Sequence, residues 1–155
     1  MQLSPHFSYK EFIASEMAAR HGINNEMPGD LITNARALCE NVLEPARAAL
    51  GPLRINSGYR CKALNSRIRG ATHSQHVQGE AADIVPLASG VSLGDLFRWL
   101  VSNDVPVDQC LHEFGSWIHV STSLTKPLRR SFLKAEKIDK KTVYFTLSET
   151  QIAEL

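Results

Sequence analysis

The chain is short of cysteine, of net charge and of long apolar runs, and each shortage excludes a class of protein. Cys39, Cys61 and Cys110 are odd in number, and no two stand in a C-x-x-C pair. Neither a disulfide framework nor a thiolate zinc site is therefore written into the sequence. Three reduced thiols are expected, with Cys39 and Cys110 in the core among apolar neighbours. The 17 Lys and Arg against 16 Asp and Glu leave a net charge of +1, which gives little pull on nucleic acid, and no nucleic-acid motif is present. No segment is apolar for long enough to cross a bilayer. The opening Met1-Gln2-Leu3-Ser4-Pro5-His6-Phe7 also lacks the basic start and apolar run of a secretory signal. Cytoplasmic synthesis without membrane insertion is the expectation. There is no internal repeat and no low-complexity tract.

What is present suits one domain over residues 1–155. At 43% hydrophobic and 21% charged, a chain of this length can bury roughly two-thirds of its unfolded surface. Ser8-Tyr9-Lys10-Glu11 reads as a capping box that opens a helix to about Arg20. A second helix runs from about Asp30 to Leu50, with Leu31, Ala35, Leu38, Val42, Ala46 and Ala49 at helical spacing and a kink expected near Glu44, before Pro45. Leu53 to Ser57 is a strand, Arg60 to Arg69 a short helix and Gly70 to Gly79 a loop. A strand from Glu80 to Val85, an amphipathic helix from Ser92 to Asn103 and paired strands over Val105–Phe114 and Trp117–Thr122 follow. Lys134 to Lys141 reads as a charged connector and Thr142 to Leu147 as a late strand. Helices first and strands mixed in later imply an α+β fold.

The chemistry gathers in two stretches. Ser74-Gln75-His76-Val77-Gln78-Gly79-Glu80-Ala81-Ala82-Asp83 sets an imidazole and a carboxylate seven residues apart. Small residues around His76 let backbone approach an ion, and an aspartate in an apolar strand is costly to bury unless paired or metal-bound. Glu113-Phe114-Gly115-Ser116-Trp117-Ile118-His119 adds a second imidazole and a spare acid. Two His and one carboxylate leave a corner of a zinc tetrahedron open, the catalytic rather than the structural pattern.

The hairpin register decides which acid or imidazole joins them. With a two-residue Gly115-Ser116 loop, Glu113 turns away and His112 faces His119 as a rival ligand. With a three-residue Phe114-Gly115-Ser116 loop, Glu113 pairs with Trp117 and shares the face of His119. Residue patterns alone leave both registers open. Other candidates read as structure: His6, His21 and His73 as surface, Trp99 as packing, Asp108 as a tie for the hairpin, and most of the basic residues as solvated faces.

Ile55-Asn56-Ser57-Gly58-Tyr59-Arg60, the Ser74 to Asp83 stretch, Asp108-Gln109 and Glu113 to Ser121 together resemble the zinc D-Ala-D-Ala carboxypeptidase family of hedgehog-type fold. That group includes D,D-dipeptidases and phage L-alanyl-D-glutamate endolysins. Leu3 to Phe7 and Val42 to Arg47 resemble its short single-domain bacterial and phage branch, and the likeness runs from about residue 3 to residue 123. The resemblance implies a small, mostly antiparallel sheet with helices packed on it. It implies one zinc ion on His76, Asp83 and His119, Glu113 as catalytic acid/base through the three-residue register, and Arg60 on the substrate or the developing oxyanion. Ser74, Gln75 and Trp117 are the other candidate substrate contacts. The chain departs from some members in having Trp117-Ile118-His119 where they carry His-x-His, and from others in the six-residue gap between Glu113 and His119. The implied activity is hydrolysis of a peptidoglycan stem peptide at D-Ala-D-Ala or L-Ala-D-Glu. The expected setting is a monomeric phage or prophage lysis protein that reaches the wall after holin-type release or from a virion. The competing expectation is a zinc-containing module that binds cell-wall peptides without cutting them.

Overall fold

Six strands in the order β3-β4-β6-β5-β7-β8 form the main sheet of a computed structural model that describes residues 1–155. They are β3 (Leu53–Ser57), β4 (Ala81–Pro86), β5 (Gln109–Glu113), β6 (Trp117–Ser121), β7 (Ser131–Ile138) and β8 (Lys141–Thr146). Every neighbouring pair is antiparallel except β5 and β7, which run parallel. A second small antiparallel sheet pairs β1 (Gln2–Ser4) with β2 (Phe7–Ser8). The fold is α+β.

Strand alternation divides the main sheet into two chemically different faces. Ala82, Ile84, Cys110, Ile118 and Val120 point into a core shared with Leu96, Phe97 and Leu100 of the helix α6 (Leu93–Ser102). Burying each large side chain of this kind contributes roughly 1.5–3 kcal/mol. The alternate residues Asp83, Glu113, Trp117 and His119 leave the opposite face. There β4 sets Asp83 opposite His119, and β5 sets Glu113 opposite Trp117.

The N-terminal helices are more broken than their apolar spacing predicts. The expected helix to Arg20 is two, α1 (Tyr9–Ile13) and α2 (Glu16–Arg20), because Ala14 is extended and Ser15 caps a new start by accepting from the Ala18 N–H. The second helix begins as a 3₁₀ turn at Gly29–Leu31 and continues as α3 (Ile32–Leu38), a π-helical turn (Cys39–Leu43) and α4 (Glu44–Leu50). Pro45 has no N–H to give the ladder, and the widened turn stands directly before it. The extra residue rotates the buried stripe. Cys39, Val42, Leu43 and Ala46 are buried while Ala49, expected inside, is exposed.

Four further segments differ from expectation. The short helix after β3 is α5 (Lys62–Arg67), and His76 lies on a 3₁₀ turn, Gln75–Gln78, that ends at Gly79 with φ 70°. The supposed connector Lys134–Lys141 is most of β7 and its turn. Asp139 and Lys140 both take positive φ, 49° and 65°, the geometry that lets a two-residue turn follow the twist of its strands. A closing helix, α7 (Glu149–Ala153), starts at a Ser148–Gln151 capping box and is tied to α6, where Arg98 donates to the Leu155 carbonyl at 2.7 Å.

Candidate metal centre

Three donor atoms from three elements meet on the face of the sheet opposite α6. His76 comes from the 3₁₀ turn, Asp83 from the middle of β4 and His119 from the middle of β6. All three residues are buried, and their donor atoms lie within 4.8 Å of one another. Asp83 Oδ1 is 3.3 Å from His76 Nε2 and 3.0 Å from His119 Nδ1, and the two rings meet edge-to-face at 5.0 Å. Burial alone would raise the Asp83 pKa, but the surrounding His76 and His119 outweigh it and hold the carboxyl far below the usual range.

Backbone and side-chain partners fix each donor. His76 Nδ1 donates to the Gly58 carbonyl at 2.6 Å, and the Arg60 N–H donates to the His76 carbonyl at 3.1 Å. A carbonyl can only accept, so Nδ1 carries the proton and Nε2 is left facing Asp83. Arg60 donates through Nη2 to Asp83 Oδ2 at 2.9 Å and through Nε to Ser57 Oγ at 3.0 Å. The guanidinium thus occupies the second carboxylate oxygen and leaves Oδ1 to the imidazoles.

Glu113 reaches the same place through the three-residue loop. Phe114 and Gly115 have φ 55° and 64°, and the Ser116 N–H closes the turn on the Glu113 carbonyl at 2.9 Å. Glu113 Oε1 then stands 4.0 Å from His119 Nδ1. Burial, then the nearby Asp83 charge, raise the Glu113 pKa above the ordinary carboxylate value. His119 and then Arg60 pull the other way, and the buried Trp117 Nε1–H closes no hydrogen bond. His112, the rival under the other register, faces the core, 6.1 Å from the Phe97 ring. Burial lowers its pKa.

The remaining candidates line or brace the cleft. It holds about 600 Å³ and includes Arg60, Ser74, Gln75 and Trp117 in its walls. The Ser74 hydroxyl accepts from the His76 N–H at 3.3 Å. Gln75 Nε2 donates to Asp108 Oδ2 at 3.0 Å, and the Arg129 guanidinium donates to the same oxygen at 2.8 Å. The Asp108 carboxylate therefore ties the His76 turn to Arg129, and Asp108 meets the hairpin, its expected partner, only through its backbone N–H on the Ser121 carbonyl. Arg129, Gly58 as a backbone acceptor, and Thr142 and Tyr144 on the cleft wall are absent from the sequence reading. Only the tight Ser57-Gly58 step hinted at any of them. The surface readings hold for His6 and His21, which are exposed, as is His73 on the cleft rim; Trp99 packs against the core.

The sequence model of the peptidase M15 family matches residues 5–121. The chain belongs to the M15 peptidase family. No curated protein matches it. The match ends with β6 and so contains β4, β5, β6 and all of His76, Asp83, Glu113 and His119, but none of β7, β8 or α7. M15 peptidases are zinc-dependent and act on peptidoglycan peptides. This M15 peptidase has a donor set that suits the metal. Zinc bonds nitrogen and oxygen at about 2.0–2.2 Å, which makes the edge of its tetrahedron roughly 3.3 Å, and the donor separations of 3.3 and 3.0 Å match that edge. Burial lowers the His76 pKa and favours the neutral ring. A neutral His76 turns the Nε2 lone pair on a carboxylate oxygen, an arrangement that a cation between them relieves.

Proposed function

We propose that the chain is a zinc peptidase that hydrolyses peptidoglycan stem peptides. In this reading His76, Asp83 and His119 hold one zinc ion, Glu113 is the catalytic acid/base and Arg60 stabilises developing negative charge. The observation that carries it is the convergence of three buried donors with a carboxylate, Glu113, that stands 4.0 Å away and is raised toward the neutral range. Zinc at this site supplies Lewis acidity and lowers the pKa of water to about 7. Glu113 takes the proton of the attacking water and returns it to the leaving amine, which a carboxylate of elevated pKa does well near neutral pH. Arg60 holds Asp83 in place through its bond to Oδ2, and its unused N–H groups are available to the carbonyl oxygen as it becomes an oxyanion, a contribution worth roughly 3 kcal/mol in such sites. Ser74 and Gln75 act chiefly by positioning the His76 turn, and Trp117 forms the wall beside Glu113.

The setting is part of the same proposal: a phage or prophage lysis protein, monomeric, reaching the wall after holin-type release or from a virion. It is supported by the likeness of Leu3 to Phe7 and of Val42 to Arg47 to the short single-domain bacterial and phage branch. Digestion of purified peptidoglycan, with fragments identified by mass spectrometry, tests the reaction. Free D-alanine alone marks a carboxypeptidase, and stem peptides split between L-Ala and D-Glu mark an endopeptidase. Intact peptidoglycan that retains bound protein would leave a binding module instead. Expression with and without a holin tests the setting, which requires lysis only when both are made.

A further inference from the structure

The family match stops at residue 121, yet the cleft does not. Thr142 and Tyr144 of β8 complete its outer wall. Cross-strand register explains how. Trp117, Glu113, Ala135 and Tyr144 stand opposite one another in a single row across β6, β5, β7 and β8, so their side chains leave the same face. Between Glu113 and Tyr144 the row carries only Ala135, which is fully buried, so no large side chain of that row rises between them. Tyr144 is 58% exposed, so its ring is open to a ligand.

The β7–β8 hairpin also braces the loop that follows Glu113. The Phe114 N–H donates to the Ala135 carbonyl at 3.0 Å. Lys137 places its ammonium 5.4 Å from the centre of the Phe114 ring and donates to Thr142 Oγ1 at 2.7 Å. Phe114 in turn meets Trp117 edge-to-face at 5.6 Å. A bulky residue at φ 55° is strained, and these contacts hold it. The outcome is an apolar wall of Trp117, Phe114 and Tyr144 that continues the site outward along the sheet.

We propose that Tyr144 is a specificity-determining residue whose ring receives an aliphatic stem-peptide side chain beyond the scissile bond. The inference rests on the peptidase reading above. Two strand spacings separate Glu113 from Tyr144, roughly 10 Å, which an extended peptide covers in about three residues. A substrate shorter than this does not reach the ring.

The test compares the wild-type zinc-loaded chain with Tyr144→Ala and Tyr144→Phe on three ligands. These are the shortest fragment that keeps the scissile bond, the free stem pentapeptide, and the same pentapeptide joined to its amino sugar. Both kcat/KM and the calorimetric Kd are read. Tyr144→Ala is expected to weaken both for the two pentapeptide ligands by about three- to tenfold, with the shortest fragment unaffected and Tyr144→Phe close to wild type. Unchanged values on the free pentapeptide, an equal loss on every length, or a loss confined to the sugar-linked ligand would each overturn the assignment. A wild-type chain that binds the pentapeptide without cutting it sinks the peptidase reading, while its Kd comparison still decides Tyr144. A wild-type chain that does neither overturns both.

Discussion

Glu113 and Asp83 are carboxylates less than a helix width apart, and their surroundings push them in opposite directions. Asp83 is pressed between two imidazoles and the Arg60 guanidinium and stays ionised. Glu113, half-buried and near the Asp83 charge, is raised. Such separation is what the proposed roles require, one acid as a ligand and the other as a proton carrier. Glu113→Gln is accordingly expected to keep its zinc and lose hydrolysis by about 10²- to 10⁴-fold, measured as paired metal analysis and peptide release. Gly58 gives a second prediction. A Cβ there would lie 2.8 Å from Phe12 Cγ and closer still to the Phe12 carbonyl oxygen, so Gly58→Ala must displace the carbonyl that orients His76. Loss of such an orienting partner typically costs roughly 10- to 100-fold in metal affinity, which a competitive chelator titration reads. The convergence of His76, Asp83 and His119 was legible in the sequence, because their residue types and setting suit a metal site and the family resemblance joined His119 to the other two. The Gly58 carbonyl was not, since a backbone acceptor has no residue type. Glu113 was undecided from residue patterns alone, because the choice required a phenylalanine at positive φ, which no propensity favours.

Among the elements, Asp108, just before β5, does the most joining. It binds the Arg129 guanidinium and backbone N–H and the Gln75 amide, so the His76 turn, the strand and the entry to β7 share one carboxylate. Burial opposes its charge, but the Arg129 bonds prevail and hold its pKa below the ordinary carboxylate value. A depressed folded-state pKa stabilises above the unfolded value, near 3.9, and that contribution fades as pH falls through the folded one. Asp108→Asn is expected to cost about 1–2 kcal/mol at neutral pH, with the gap from wild type narrowing below about pH 4; urea unfolding across pH checks this. The elements themselves were unevenly legible. The α6 helix with its capping serine, β3 and β4 follow from apolar spacing. β7 did not, because Lys134, Glu136 and Lys137 give it the look of a linker, while Ala135 alone marks its buried side and the Asp139-Lys140 turn lacks the usual glycine.

For the molecule as a whole, the C-terminal strands continue the sheet in which the site is built. β7 lies in parallel register with β5 from Gln109 to Glu113, and α7 rests on α6. We propose that residues 1–155 work as one domain. At fixed zinc concentration, far- and near-ultraviolet circular dichroism should then report a single coincident unfolding transition, whereas a separate early loss of β7, β8 and α7 would contradict it.

Metal analysis of the purified chain tests the central claim most directly. The account predicts one zinc per wild-type chain and none in Asp83→Ala, whose imidazoles would lack their shared oxygen donor. A wild-type chain that fails to retain zinc after loading, or an Asp83→Ala chain that retains it undiminished, would contradict it.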